Sequence, residues 1–418
     1  MASYAEDLSM DGVIQPGQDK AAYNGDVDVK SAKGASEAAF IRVMEFEANS
    51  KLLNRGPGEC RDVARLEWDD VCVEGLLGVG GFACVSKVSV PVLETGDDPA
   101  DDDRKSATSG TSTSSANYGV YALKCLNERT TMDPKTFATG AADLASEFLI
   151  LSNLSHDNIV RVHGVSGGCV SQAFEESGGY FILLELLRGT VSDLLRLWRE
   201  DLKVPAKASR IPSPFDRVKE IALGIAKGME YLHQNDIVLR DLKPHNVGFD
   251  RTGNPRIFDF GLARELCIDS TTTTLAVPGV AGSFRYMAPE VALGNGSVFE
   301  SDVYSFGMVL WELLTLEKPF DKMSGAEEHH QKVAIKGARP ATTNIPTQRL
   351  KDLLKECWET NPDARPTFTG VCKSLEMELD ANKDTLEAAQ RLSWRQQFSV
   401  FKKTVKTQIR ERRRSSGM

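Results

Sequence analysis

The pattern of apolar and polar positions changes character close to residue 190. Before that point the patterned segments read mostly as strands. VCVEGLLGVGGFACVSKVSV, residues 71–90, places β-branched residues on both sides of a glycine cluster, which predicts strand, Gly-rich turn, strand: a hairpin. In YGVYALKCL, residues 118–126, Ala122 and Lys124 share one face of a strand, and Tyr121, Leu123 and Cys125 share the other. The stretch 141–154 shifts to helical spacing, with Leu144, Phe148 and Leu151 on one stripe and Glu147 on the same face. A carboxylate on an apolar stripe needs a cation, because burying an unpaired charge is costly, and Lys124 is the candidate. YFILLELL, residues 180–187, reads as a buried strand.

Beyond it the chain reads mainly as helix. Ser213 and Pro214 fit the N-cap and first turn of a helix whose apolar positions are Val218, Ile221, Ala222, Ile225, Met229 and Leu232. SDVYSFGMVLWELLT, from residue 301, is apolar nearly all round and should be central to its part of the molecule. Between these two helices IVLRDLKPHN, residues 237–246, breaks the pattern: an apolar run delivers Arg240, Asp241, Lys243 and Asn246 into a turn stiffened by Pro244. Strands followed by helices predict an α+β molecule of two lobes.

Composition changes this picture at the ends and in one insert. The chain has 418 residues with 41% hydrophobic and 26% charged, which suffices for a substantial core. Residues 1–66 read as a polar, largely disordered extension with a short helix over 36–53, and 94–117, acidic and rich in Ser, Thr and Gly, reads as a disordered insert. Residues 67–380 then form the main domain. From 381 to 418 ten Lys or Arg stand against three Asp or Glu, which leaves −16 of the formal −9 on the remainder, so this tail is electrostatically distinct. Eight cysteines carry no C-x-x-C pair, which suggests neither a zinc site nor a disulfide framework and makes reduced thiols the default. The start MASYAEDLSMDG lacks a basic, then apolar, leader, and no apolar run approaches the roughly 20 residues that cross a bilayer, so the expectation is a cytoplasmic protein.

In chain order the chemistry-bearing residues are Gly78-x-Gly80, Lys124, Glu147, Arg240-Asp241-x-Lys243-x-x-Asn246 and Asp259-Phe260-Gly261. Glycines let backbone N–H groups approach phosphates, a Lys held by a Glu brings positive charge to them, and an Asn with an Asp supplies hard oxygens for magnesium. This ordered series resembles the eukaryotic protein kinases over residues 68–380. The resemblance extends to SFRYMAPE at 283–290, to Asp302, and to Arg365 in NPDARPTF as the partner of Glu290. It implies a bilobal kinase-like fold: a small antiparallel-sheet N-lobe with one main helix, and a larger helical C-lobe. It also implies ATP with magnesium, or manganese, as cofactors. By the same resemblance Asp241 is the base, Lys243 meets the transferring phosphate, and Asn246 and Asp259 hold the metal. The resemblance also implies that the nucleotide is held by Gly78, Gly80, Gly81, Val85, Ala122, Lys124, Glu185 and Leu187.

Lys243, two residues after Asp241, resembles Ser/Thr kinases, whereas the 301–315 and 357–368 segments are similar to tyrosine kinases; that mixture is found in the tyrosine-kinase-like group of Ser/Thr kinases. Protein substrates bearing Ser or Thr are implied, dual specificity stays open, and an inactive pseudokinase scaffold is the alternative. Three residues depart from the family pattern: Ala83 for the third loop glycine, Leu239 for the His before Arg-Asp, and Gly248 where an apolar side chain usually floors the adenine site. Ser270, Thr271, Thr272, Thr273 and Thr274 are either a solvated loop or phosphorylation sites whose phosphate pairs Arg240.

In the tail, Trp394, Phe398, Phe401, Val405 and Ile409 recur at helical intervals beside Arg395, Lys402, Lys406 and Arg413, a basic amphipathic helix. It fits intramolecular docking on the acidic body, calmodulin, an anionic membrane, or, with RERRR at 410–414, a nuclear address; a plain packed helix with solvated charges fits equally. Specific nucleic-acid binding is not expected.

Overall fold

The computed structural model describes residues 13–14, 32–53, 63–91, 118–167, 179–208, 211–266 and 276–383, with 394, 398, 399, 401–405 and 407 in the tail. The 94–117 insert, Ser270 to Thr274, Arg395, Lys406, Ile409 and the 410–414 run lie outside them. The chain divides into two compact units, one spanning 24–155 and 160–186, the other 1–23, 156–159 and 187–418.

The first unit is built on a six-stranded sheet. Its elements are α1 (Ala32–Asn49), β1 (Ala64–Leu66), β2 (Cys72–Val79), β3 (Ala83–Pro91), β4 (Tyr118–Leu126), α2 (Pro134–Ser152), β5 (Val162–Ser166) and β6 (Phe181–Leu184). The strand order is β1-β5-β6-β4-β3-β2. Every neighbouring pair is antiparallel except β1 with β5. The sheet is therefore mixed and not purely antiparallel, and a second helix joins the main one. Three residues, Ala64-Arg65-Leu66, are too few to show a period, which is why this parallel edge strand escapes sequence reading.

The short helix expected over 36–53 is α1. It buries Ala35, Ala38, Ala39 and Val43, a helical stripe of small residues, and packs on α2. The compact unit thus begins well before residue 67. On one face of the sheet Leu66, Val88, Val90, Tyr121, Leu123, Phe181 and Leu183 form a buried cluster, with Trp68 and Cys125 against it.

The second unit is mainly helical. Helix α3 (Val191–Leu202) is followed by a helix that runs from Pro214–Arg217 through a π-turn at Val218–Ala222 into Leu223–Gln234; we number the whole α4. Ser213 caps it as its sequence predicts, accepting from Asp216 N while Asp216 closes a reciprocal capping box. Two short strand pairs follow, β7 (Ile237–Val238) with β10 (Arg264–Glu265), and β8 (Val247–Phe249) with β9 (Pro255–Ile257). The β8–β9 turn is wound around Asp250, whose Oδ1 accepts from the backbone N–H groups of Thr252, Gly253 and Asn254. Central helix α5 (Phe299–Thr315) is buried along nearly its whole length, and α6 (Gln348–Cys357) and α7 (Phe368–Ala381) complete the unit.

Three tail aromatics close over the β8–β9 turn. The rings of Trp394, Phe398 and Phe401 lie 5.8, 5.3 and 5.9 Å from that of Phe249, and Trp394 Nε1 donates to Gly253 O at 3.1 Å. Room for these rings comes from glycine. A Cβ at Gly189 would stand 2.8 Å from Phe401, and one at Gly253 3.0 Å from Phe398 and Trp394; both residues have positive φ.

His329 is the clearest acid-sensitive point of the second unit. It is 1% exposed between the Phe284 and Phe320 rings, and its Nε2 has no hydrogen-bond partner among the described residues. Burial, with the Arg285 and Arg339 charges added, pushes its pKa from 6.5 down to about 4. The unfolded chain therefore binds this proton first. The His329 contribution is intact above pH 6.5, falls as pH drops from 6.5 to about 4, and levels off below. The loss across that window is on the order of 3 kcal/mol. Denaturant titrations at several pH values should show His329→Phe losing less stability than wild type between pH 6.5 and 4; parallel curves would disprove the assignment.

Candidate active site

In the first unit the pair expected from strand and helix periodicity is formed. Lys124 Nζ sits 2.6 Å from Glu147 Oε2, with side chains 12% and 1% exposed, so the carboxylate on the apolar stripe is neutralised in place. Removing either partner of a buried ion pair typically costs roughly 3–5 kcal/mol. Ala122 is buried on the same strand face, and Val85 is the cross-strand partner of Lys124.

The Gly-rich turn joins β2 to β3. Gly80 N donates to Ala83 O at 2.7 Å, and Asn127 Nδ2 donates to both Gly80 O and Gly81 O, at 3.1 and 3.0 Å. Asn127 is a supporting residue that the sequence reading missed, since a lone Asn after a strand carries no signal of a contact 46 residues back. A Cβ at Gly78 would meet nothing within 4 Å, so no neighbour among the described residues requires glycine there. Ala83 is absent from the residues with positive φ, so its Cβ is accommodated without backbone strain.

In the second unit the IVLRDLKPHN string converges on one carboxylate. Asp241 accepts from Lys243 Nζ at 2.8 Å and from Asn246 Nδ2 at 3.1 Å on Oδ2, and from Ser283 N at 2.8 Å on Oδ1. Lys243 also donates to Ser283 Oγ at 2.7 Å. Ser283, the first residue of the SFRYMAPE run, is thus a direct partner of both Asp241 and Lys243. The close approach needs Gly282 at φ +105, where a Cβ would lie 2.4 Å from Arg240 O.

Asn246 and Asp259 are brought to the same end of the β8–β9 pair. Val247 is opposite Ile257, and Phe258 N donates to Asn246 O. Asn246 spends its Nδ2 on Asp241, which leaves Oδ1 as the atom that could meet a cation, and the Asp259 side chain is exposed at φ +66. One amide oxygen and one carboxylate suit a hard divalent ion that takes its remaining ligands from phosphate and water.

Arg240 reaches the 259–290 segment as its place predicts. Its guanidinium donates to Pro278 O, Gly279 O and Ser297 Oγ. Ser270 to Thr274, its proposed phosphorylated partners, lie outside the described residues. The Glu290 and Arg365 side chains form the expected pair through two hydrogen bonds of 2.8 Å, with Ser301 Oγ as a third donor. Burial pushes the Glu290 carboxyl up, but Arg365 outweighs it and holds the group below its usual range.

Glu185 and Leu187, expected at the nucleotide, fall in different units; Glu185 N donates to Arg161 O. Leu187 explains the Gly248 departure. A Cβ on Gly248 would stand 2.6 Å from Leu187 Cδ1 and 3.3 Å from Gly189 O. The space of the missing side chain is filled by Leu187.

A model of the protein kinase domain matches residues 107–375. The chain is 31% identical over 234 residues to the serine/threonine-protein kinase STY17 of Arabidopsis thaliana, covering 56% of this chain and 37% of that one. It is 32% identical over 272 residues to the serine/threonine/tyrosine-protein kinase HT1 of the same plant, covering 64% of each. To the dual specificity protein kinase splA of Dictyostelium discoideum it is 34% identical over 255 residues, 56% of this chain and 10% of that one. The chain thus spans less than two thirds of each of these relatives.

Gly248→Leu should destabilise the protein by about 1–3 kcal/mol through overpacking against Leu187, and adding Leu187→Ala should recover most of that loss. Chemical denaturation of the two single variants and the double variant measures the coupling; additive losses would show that the two positions do not share the space.

Proposed function

The chain belongs to the protein kinase family, and from that premise we propose that it transfers the γ-phosphoryl group of ATP, with magnesium, to Ser and Thr hydroxyls of intracellular signalling proteins. The observation that carries the reading is the Asp241 cluster. Three donors from Lys243, Asn246 and Ser283 fix one carboxylate in orientation, as a base must be fixed to accept a hydroxyl proton while the acceptor oxygen attacks phosphorus. Lys243 is positioned to neutralise the transferring phosphate. Lys124, steadied by Glu147, brings a second positive charge to the nucleotide, and the open face at Gly78 lets backbone amides approach its phosphates. Asn246 Oδ1 and Asp259 would hold the metal, which when bound offsets phosphate charge. The family match begins at residue 107, past the glycine turn, so the role of Gly78, Gly80 and Gly81 rests on the geometry of the turn itself.

Ser/Thr acceptors are favoured by the Lys243–Ser283 contact, which ties the catalytic string to the segment expected to carry the substrate. Acceptance of Tyr as well is the second reading, in line with the names of two relatives. Radiolabelled transfer from ATP and magnesium to the protein itself and to a generic basic protein tests both. Label on Ser and Thr, reduced about 100-fold or more in Asp241→Asn, is expected. Label on Tyr as well would establish dual specificity, and no transfer even after activation by cell extract would sink the catalytic reading in favour of a scaffold.

For the tail, intramolecular docking is the reading favoured. Phe398 and Phe401 are 2% and 3% exposed, so calmodulin or an anionic membrane would have to extract them from Phe249 first. Because Phe249 adjoins Gly248, docking should bear on the nucleotide site. Phe398→Ala with Phe401→Ala is expected to raise the KM for ATP more than it alters kcat; unchanged kinetics, or tight binding of wild type to calcium-calmodulin or anionic vesicles, would overturn this role.

A further inference from the structure

Strands β3 and β4 place two cysteines face to face. Cys84 is directly opposite Cys125 in the antiparallel register, between the pairs Ala83 with Leu126 and Val85 with Lys124. Their Sγ atoms are 3.5 Å apart, both residues are half-buried, and both thiols are free. Opposed residues of an antiparallel pair have Cα atoms about 4.5 or 5.5 Å apart, according to their hydrogen bonding, and both values lie inside the roughly 4.4–6.8 Å that a disulfide spans. Closing the sulfurs from 3.5 Å to about 2.05 Å is then within the reach of side-chain torsion.

We propose that Cys84 and Cys125 form a dithiol site that a hydroperoxide or a small disulfide converts into an intramolecular disulfide. With a hydroperoxide, the Cys84 sulfur takes the terminal oxygen and becomes a sulfenic acid, and the alcohol, or water from hydrogen peroxide, departs. The Cys125 sulfur then displaces that hydroxyl, which leaves as water with the Cys125 proton. The two thiols together give up two electrons and two protons, and the peroxide is reduced. With a small disulfide, Cys84 displaces one thiol to form a mixed disulfide and Cys125 displaces the second. Burial, with the Cys84 sulfur added, pushes the Cys125 pKa up to about 12, and the reverse order, with Cys125 meeting the oxidant and Cys84 resolving, leaves the same disulfide.

The location gives this bond a consequence. Cys84 follows the Gly80–Ala83 turn directly, and Cys125 follows Lys124. Cys125 lies on the side of the sheet that carries Tyr121 and Leu123, away from the face on which Lys124 meets Glu147. A disulfide there would staple the outgoing strand of the glycine turn to the strand of Lys124 while leaving the ion pair untouched.

The test uses the full, reduced chain at low micromolar concentration, oxidised with glutathione disulfide or hydrogen peroxide, then alkylated and digested without reductant for mass spectrometry. A Cys84–Cys125 linked peptide should dominate in monomeric protein and vanish on adding dithiothreitol. It should be lost in Cys84→Ser and in Cys125→Ser but retained in Cys72→Ser, whose thiol is exposed elsewhere. Recovery of Cys84 as a glutathione adduct or sulfinic acid beside freely alkylated Cys125 would overturn the proposal. Should a serine variant fail to fold, wild type decides alone: linkage that persists undiminished when oxidation is carried out in denaturant would owe nothing to the fold and would refute the site.

Discussion

One buried carboxylate determines how the IVLRDLKPHN string is presented. Asp302, 1% exposed at the start of the central helix, accepts the backbone N–H groups of two successive residues, Leu239 at 2.8 Å and Arg240 at 2.9 Å, and faces His233 Nε2 at 3.0 Å. Arg240 is held at φ +71, a conformation costing a non-glycine residue about 1–2 kcal/mol. Two hydrogen bonds to a charged acceptor contribute roughly 1.5–3 kcal/mol each and outweigh that cost. The left-handed turn at Arg240 sends its guanidinium toward Pro278 and Gly279, and the next residue, Asp241, toward Lys243, Asn246 and Ser283. Without the Asp302 anchor the chain would relax at Arg240 and the donors around Asp241 would lose their common target.

Other polar groups are secured on the same principle, a buried charge satisfied from several directions. Lys124 is positioned by Glu147, and Glu290 by Arg365 and Ser301. The Arg365 guanidinium also donates to Glu300 O and Glu359 O and lies 5.2 Å over the Tyr304 ring. Such pairs add little net stability over apolar packing, yet each has few alternative geometries, which suits groups whose position matters more than their energy.

Much of this was legible in the sequence, because residues with a chemical task sit in local strings or on strong periods. The 2.0-residue and 3.6-residue patterns placed Lys124 and Glu147 on facing sides of a strand and a helix, and the IVLRDLKPHN string announced its own cluster. What stayed hidden depends on contacts between distant positions. Ser283 is 40 residues from Lys243, and although it opens the SFRYMAPE run nothing there announces that contact; Asn127 lies 46 from Gly81 with no local mark at all. The parallel edge strand at Ala64–Leu66 and the packing of α1 were likewise invisible: one is too short to carry a pattern, and the other uses alanines, whose burial no hydropathy contrast reveals.

The Gly248 and Leu187 arrangement has an evolutionary side. Since the leucine side chain already fills what a residue at 248 would fill, position 248 cannot grow while 187 keeps its length. A lineage acquiring a larger residue at 248 must first have shortened the one at 187, and a lineage enlarging 187 must first have lost its side chain at 248. The order of steps is fixed by volume, so chains carrying both residues large should be rare among descendants of this one, and those carrying both small should be the passage between the two arrangements.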